Sequence, residues 1–245
     1  AAGGGPSATA VVEEWNGSSW TETTNINTAR QEATGWGDNA EGILIAGGNP
    51  VTAITELWDG SSWTEVGDLN QARTYFTGSI ESSSAGIAYG GITPATSAGV
   101  AITESWNGSA WTEVNDLNNA RRSNAGAGTS TNAVAMGGYT TTEVGNTELW
   151  AGSSWTEVAD NPTTGGGSAF GVYNDALLAK GTTTTLWNGT AWSATTSSSS
   201  PTTNRAGLGT TSAGLKTGGE PPNAGVTATE EWVAPTTTTV TFTAS

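Results

Sequence analysis

One hexapeptide pattern, Trp-x-Gly-x-x-Trp, recurs five times and limits what this chain can fold into: Trp15 to Trp20, Trp58 to Trp63, Trp106 to Trp111, Trp150 to Trp155 and Trp187 to Trp192. A partial sixth copy ends at Trp232, and successive first tryptophans are 43, 48, 44, 37 and 45 residues apart. A period of this length marks an array in which each unit is one supersecondary element that buries its faces only against its neighbours.

Each unit carries the same order of signals. An Ala-Arg or Asn-Arg pair (Arg30, Arg73, Arg121, Arg205) precedes a short Gly/Ala/Thr-rich stretch, then an apolar run ending in Gly-Gly, as in Ile43-Leu44-Ile45-Ala46-Gly47-Gly48. A variable loop leads to Thr-Glu-x-Trp, an Asn-Gly-Ser-Ser turn and Trp-Thr-Glu-Val. β-Branched and aromatic runs bounded by Gly, Pro and Asn read as four short strands, and helical periodicity is absent. Four antiparallel strands per unit predict an all-β propeller closed radially, because a flat sheet of the same strand number would be too wide. Ala2-Gly3-Gly4-Gly5-Pro6 matches Ala46-Gly47-Gly48-Asn49-Pro50, so the given chain starts inside a blade. Six blades are expected if upstream residues supply the missing strands. Five is the alternative, with Trp20 to Asn25 closing onto residues 205–232, and seven requires further sequence. The propeller is expected over 1–235, with 236–245 as a terminal strand or tail.

The turn between the paired tryptophans is a strong hairpin signal, so the two rings face each other across it. Alternation then places Glu13 opposite Glu22, Glu56 opposite Glu65, Glu104 opposite Glu113 and Glu148 opposite Glu157. Like charges directly opposite destabilise a sheet unless neutralised. The fifth hairpin has Thr185 and Ala194 at these positions, and its unit reads Asn161-Pro162-Thr163-Thr164-Gly165 where others carry Ala-Arg. Three charges lost together point to one network in which each Arg bridges two Glu of its own blade. The expected sets are Arg30 with Glu56 and Glu65, Arg73 with Glu104 and Glu113, Arg121 with Glu148 and Glu157, and Arg205 with Glu230. Glu13 and Glu22 then require an upstream Arg. A calcium site or a general acid and base are the rival readings of paired carboxylates. Repetition in four hairpins disfavours catalysis, which needs one site.

The chain has no His and no Cys, which excludes Ser-His-Asp, Cys-His and the usual zinc and haem chemistries. Its net charge of −15 disfavours nucleic-acid and anionic-membrane partners. No apolar run approaches the length of a membrane helix, and the first residues lack the basic flank and apolar run of a signal peptide. The expectation is a non-enzymatic protein without catalytic residues, cofactor or metal.

Most tryptophans serve blade packing. Trp36, outside the hairpins, is the ligand-contact candidate, and Tyr75, Phe76, Phe170 and Tyr173 are expected to fill the core or the channel. Asp38 and Asp175 are the scattered unrepeated carboxylates. The sequons at Asn16, Asn107 and Asn188 read as turns, as does Asp59, whose Trp58-Asp59-Gly60-Ser61-Ser62-Trp63 superficially resembles the Asp-box turn of sialidases. Loops Ile92 to Val100 and Tyr139 to Asn146 vary between units whose strands barely change, which is where recognition usually resides.

The cycle Thr-Glu-x-Trp-Asn-Gly-Ser-Ser-Trp-Thr-Glu-Val, Asp-Leu-Asn-x-Ala-Arg, Gly-x-Gly and Gly-Gly, with the ending Glu230-Glu231-Trp232-Val233-Ala234-Pro235, resembles the kelch-like repeat proteins of tailed bacteriophages of the marine, cyanobacterial type. The fourth full unit departs from it, with no Arg and Lys180-Gly181 for Gly-Gly. The resemblance implies kelch-like blades in a virion structural protein, as tail fibre, adhesin or capsid decoration, located on the particle surface. Implied partners are other virion proteins and a host cell-surface glycan. The alternative is a bacterial secreted or cell-surface lectin propeller.

Overall fold

The computed structural model describes residues 2–4, 7–38, 42–199, 206–217 and 229–233. The first sheet is a hairpin of β1 (Val12–Trp15) and β2 (Trp20–Thr23), to which Ala2 adds a bridge at Val12. The first full blade contains β3 (Thr34–Asp38), β4 (Gly42–Ala46), β5 (Thr55–Trp58) and β6 (Trp63–Glu65). The second contains β7 (Thr77–Ser82), β8 (Ala85–Tyr89), β9 (Thr103–Trp106) and β10 (Trp111–Val114). The third runs through β11 (Ala125–Gly128), β12 (Ala133–Tyr139), β13 (Glu143–Trp150) and β14 (Trp155–Val158). The fourth has β15 (Ser168–Val172), β16 (Asp175–Lys180), β17 (Thr183–Trp187) and β18 (Trp192–Ala194). The fifth shows β19 (Ala206–Gly209), β20 (Ala213–Thr217) and β21 (Thr229–Val233). All pairings are antiparallel and follow chain order.

This is a five-bladed propeller with one further hairpin, where the sequence favoured six blades. Each of the five carries its own innermost strand, and β3, β7, β11, β15 and β19 lie side by side in that order. Hairpin β1–β2, which has no innermost strand among the described residues, sits between the fifth and first blades. On one side Trp20 Nε1 reaches Thr229 Oγ1 at 3.5 Å, and on the other Val12 and Ile26 pack with Ile45 and Trp63. The alternative in which Trp20 to Asn25 closes onto 205–232 is not the arrangement seen, because β2 pairs with β1 and not with β21. Residues 236–245, the expected tail, lie outside the described residues.

The core lies between blades. Leu44, Phe76, Trp106 and Trp111 form one cluster across the first seam, and Ile87, Tyr89, Trp150 and Trp155 form the next. Second strands such as β8 and β12 are covered on both faces, so they read as continuous apolar runs. Fourth strands are outer edges; in β10 and β14 only the Trp is buried and Thr-Glu faces water.

The Gly-Gly pairs exist for close approach. Gly47 and Gly90 have φ of +62° and +74°, and a Cβ would lie 2.6 and 2.7 Å from the carbonyl oxygens of Arg73 and Arg121 in the following blade. The second glycine donates its N–H to that same carbonyl: Gly48 to Arg73 at 3.0 Å and Gly91 to Arg121 at 2.9 Å. Gly4 donates to the Arg30 carbonyl at 3.0 Å, which places the opening residues in the same role.

Candidate functional site

The register of every hairpin is the one the turn demands. Glu13 stands opposite Glu22, Glu56 opposite Glu65, Glu104 opposite Glu113 and Glu148 opposite Glu157, with Thr185 opposite Ala194. The five Trp pairs stack with ring centroids 5.4–5.5 Å apart.

Arg30, Arg73 and Arg121 are each in the expected blade but hold one carboxylate, which corrects the two-Glu network. Arg30 pairs with Glu56, Arg73 with Glu104 at 2.9 Å and Arg121 with Glu148 at 3.1 Å, every side chain fully buried. Glu65, Glu113 and Glu157 are exposed on the outer strand. The reason is desolvation: one Arg neutralises one buried carboxylate, and a second would remain an uncompensated charge. The buried carboxylate completes its shell from the connector instead. Asn70 donates its backbone N–H at 2.7 Å and its side-chain amide at 2.8 Å to Glu104, and Asn118 does the same to Glu148 at 2.7 and 2.8 Å. The same amides donate to the carbonyls of Trp111 and Trp155, at 2.9 and 3.0 Å. Burial pulls the Arg73 and Arg121 guanidinium pKa values down, and the facing Glu104 and Glu148 oppose it.

The fourth blade replaces the ion pair with a neutral one, Asn161 Nδ2 donating to Thr185 Oγ1 at 2.9 Å, both buried. In the fifth blade Arg205 lies outside the described residues, so its pairing with Glu230 is not described. Glu230 accepts from Ser198 Oγ at 2.7 Å and Ser199 N at 3.0 Å, with Lys216 Nζ 3.6 Å away. Burial would raise its pKa, but the hydrogen bonds from Ser199 and Ser198 and the Lys216 charge outweigh it and hold the carboxyl at about 2. A cavity of about 270 Å³ opens here, lined by Phe170, Ser198, Lys216, Glu230 and Trp232 among others.

A non-repeated cluster occupies the variable-loop face, where the chain turns into the innermost strands. Glu32, Tyr75 and Ser123 take the same place in three consecutive blades, each in the left-handed region at φ +56°, +55° and +52°. Tyr75 donates its hydroxyl to Glu32 at 2.6 Å, and Ser123 N–H donates to the Tyr75 carbonyl at 2.7 Å. Beside them Arg122 and Tyr139 exchange two backbone hydrogen bonds of 3.0 and 2.8 Å. The Arg122 guanidinium carbon lies 4.7 Å from the Tyr139 ring centroid and 6.0 Å from that of Tyr75. The equivalent bridges elsewhere join Gln31 to Asn49 and Thr74 to Ile92, so among the described residues the third blade alone places a cation between aromatic rings. Sequence reasoning missed Arg122; the Arg121-Arg122 doublet was its one signal.

The remaining candidates scatter. Trp36 lies on β3 opposite Leu44, and Asp38 opposite Gly42, with both side chains outside the described part. Phe76 and Phe170 are core residues, Phe76 beneath the Arg73 guanidinium at 5.2 Å, while Tyr173 is 36% exposed. Asp175 accepts from Thr211 Oγ1 at 2.6 Å. Asn16, Asp59, Asn107 and Asn188 each accept turn N–H groups, as their reading as turns requires. Residues 139–146 are mostly not loop: β12 and β13 extend to pair Tyr139 with Glu143 after a bulge between Met136 and Gly138. Among the described residues, no group of three or more Asp or Glu is placed to hold a metal. No helix there is long and apolar enough to cross a membrane.

No protein-family model matches the chain, and no curated protein matches its sequence. Among solved structures, that of YjhT is similar, with a TM-score of 0.71 at 13% identity over 90% of this chain and 87% of that one. At that identity the likeness concerns the fold, and with the blade topology it shows an all-β, kelch-like propeller.

Proposed function

We propose that this chain is a non-enzymatic virion structural protein that displays its propeller on the particle surface for host attachment, as tail fibre, adhesin or surface decoration. The observation that carries this reading is the contrast between seams and loops. The Trp, Asn and Arg contacts repeat through the first three blades, whereas the loops of one face differ: residues 92–100 fold on themselves through a Thr93 to Thr96 bridge, and 140–142 form a tight turn. A rigid frame carrying divergent loops suits recognition, and the repeat resembles phage kelch-like proteins. Its partners on this reading are other virion proteins and a host cell-surface glycan.

Mass spectrometry of purified, intact virions tests it. Stoichiometric recovery of the chain's peptides in particles is the expected result. Recovery only from cells or medium would overturn the virion role and favour a secreted or cell-surface lectin.

A further inference from the structure

We infer that Arg122, held between Tyr75 and Tyr139 on the variable-loop face, is a binding site for the carboxylate of an acidic sugar of the uronic-acid class. The inference stands on this geometry and does not depend on the virion role.

Among the described residues, Arg30, Arg73, Arg121, Lys180 and Lys216 each have a carboxylate within 4 Å, and Arg122 is the one cation that has none. Its Nε is buried without a hydrogen-bond partner, as are those of Arg73 and Arg121, so the missing carboxylate is what sets it apart. In a chain of net charge −15 carboxylates are abundant, yet none of the described ones lies within 4 Å of this guanidinium, so an ion pair among them does not account for it. The tyrosines hold the plane of the guanidinium by cation–π contact, at 4.7 Å for Tyr139, which leaves its donor edge as the recognition element. That edge matches a carboxylate bidentately, and a fork already fixed in orientation loses little entropy on binding.

The surroundings select the rest of the ligand. Ser123 follows Arg122 and Thr140 follows Tyr139 in the chain, and the exposed Thr141 and Thr142 complete the turn after it, a stretch rich in hydroxyls for a polyhydroxylated ring. The exposed large apolar side chains, Val172, Tyr173, Leu208 and Val233, belong to the fourth and fifth blades and not to this rim. A protein partner would need such anchors. A polyanion is disfavoured by the overall charge, whereas one carboxylate faces one guanidinium. Two residues along, Asn124 is 7% exposed with neither amide atom hydrogen-bonded, a second unsatisfied polar group in the same segment.

Isothermal titration calorimetry of the whole chain with glucuronate and galacturonate, each against glucose and galactose, reads the site directly. The expected result is binding of a uronate and none of its neutral parent. Arg122→Gln should lower that affinity about tenfold or more, and Arg122→Lys, which keeps the charge without the fork, should lower it less. Glu113→Gln, an exposed outer-strand change away from this cluster, should retain binding, and unchanged circular dichroism certifies that each variant is folded. Binding of neither uronate, equal binding of the neutral sugars, or unchanged affinity in Arg122→Gln would overturn the inference. Tighter binding of a short peptide with a free terminal carboxylate than of either uronate would also overturn it. Mass spectrometry of particles does not bear on any of these outcomes.

Discussion

Glu104 and Glu113 occupy one register position and differ in depth: the first is fully buried against Arg73, the second is exposed. Their isosteric neutralisation should therefore have unequal effects. Glu104→Gln leaves a buried guanidinium without its counter-ion and should cost about 3 to 5 kcal/mol in urea unfolding. Glu113→Gln should stay within about 0.5 kcal/mol. Equal costs would restore the two-carboxylate network. Glu230 supplies a pH signature, because its folded pKa of about 2 lies below its ordinary value of 4.5. A carboxyl depressed on folding adds stability that is fully present above the unfolded value and vanishes as pH falls through the folded one. Acid titration followed by NMR should show Glu230 still ionised at pH 3.5, between those two values. A Glu230→Gln variant should lose less stability than the parent over the same descent.

At the scale of strands and hairpins, the seam bond is the recurring device. Trp111 Nε1 donates to Thr55 Oγ1 at 3.0 Å, Trp155 to Thr103 at 3.1 Å and Trp192 to Thr147 at 3.2 Å, each from one blade to the preceding one. Val12 stands where these Thr residues do, and Trp63 donates instead to the Thr24 carbonyl at 3.0 Å. Thr103→Val should thus cost about 1 to 2 kcal/mol, the burden of leaving a buried indole N–H unpaired, unless the neighbouring connector yields a carbonyl as it does at Val12. Thermal unfolding of that variant checks it. The hairpin register and the Glu pairs were legible in the sequence because turn chemistry and a period of two fix them. Which Glu is buried was not legible, since alternation gives the face and not the depth. Arg122 was equally hidden: next to Arg121 it reads as a second charge, and only the Tyr139 bridge and the turn at Tyr75 set it apart. The blade count failed for another reason, because six third-strand copies ahead of a Trp were counted as six blades when the first copy has no innermost strand among the described residues.

Over the whole molecule, the charge is distributed by burial: described Arg and Lys residues are mostly spent in ion pairs, while the outer strands present Glu65, Glu113 and Glu157 to water. Self-repulsion of a −15 chain is screened by salt, and the buried pairs are screened much less. Raising ionic strength from low to physiological should therefore raise the melting temperature, and a fall would mean that exposed ion pairs dominate. The tryptophan pairs have an optical consequence as well. Five indole dimers share one separation and interplanar angles of 43–45°, so their transition dipoles couple with a common geometry. Their exciton signals add instead of cancelling, and the far-ultraviolet couplet becomes an intrinsic gauge of how many hairpins remain closed at each step of unfolding.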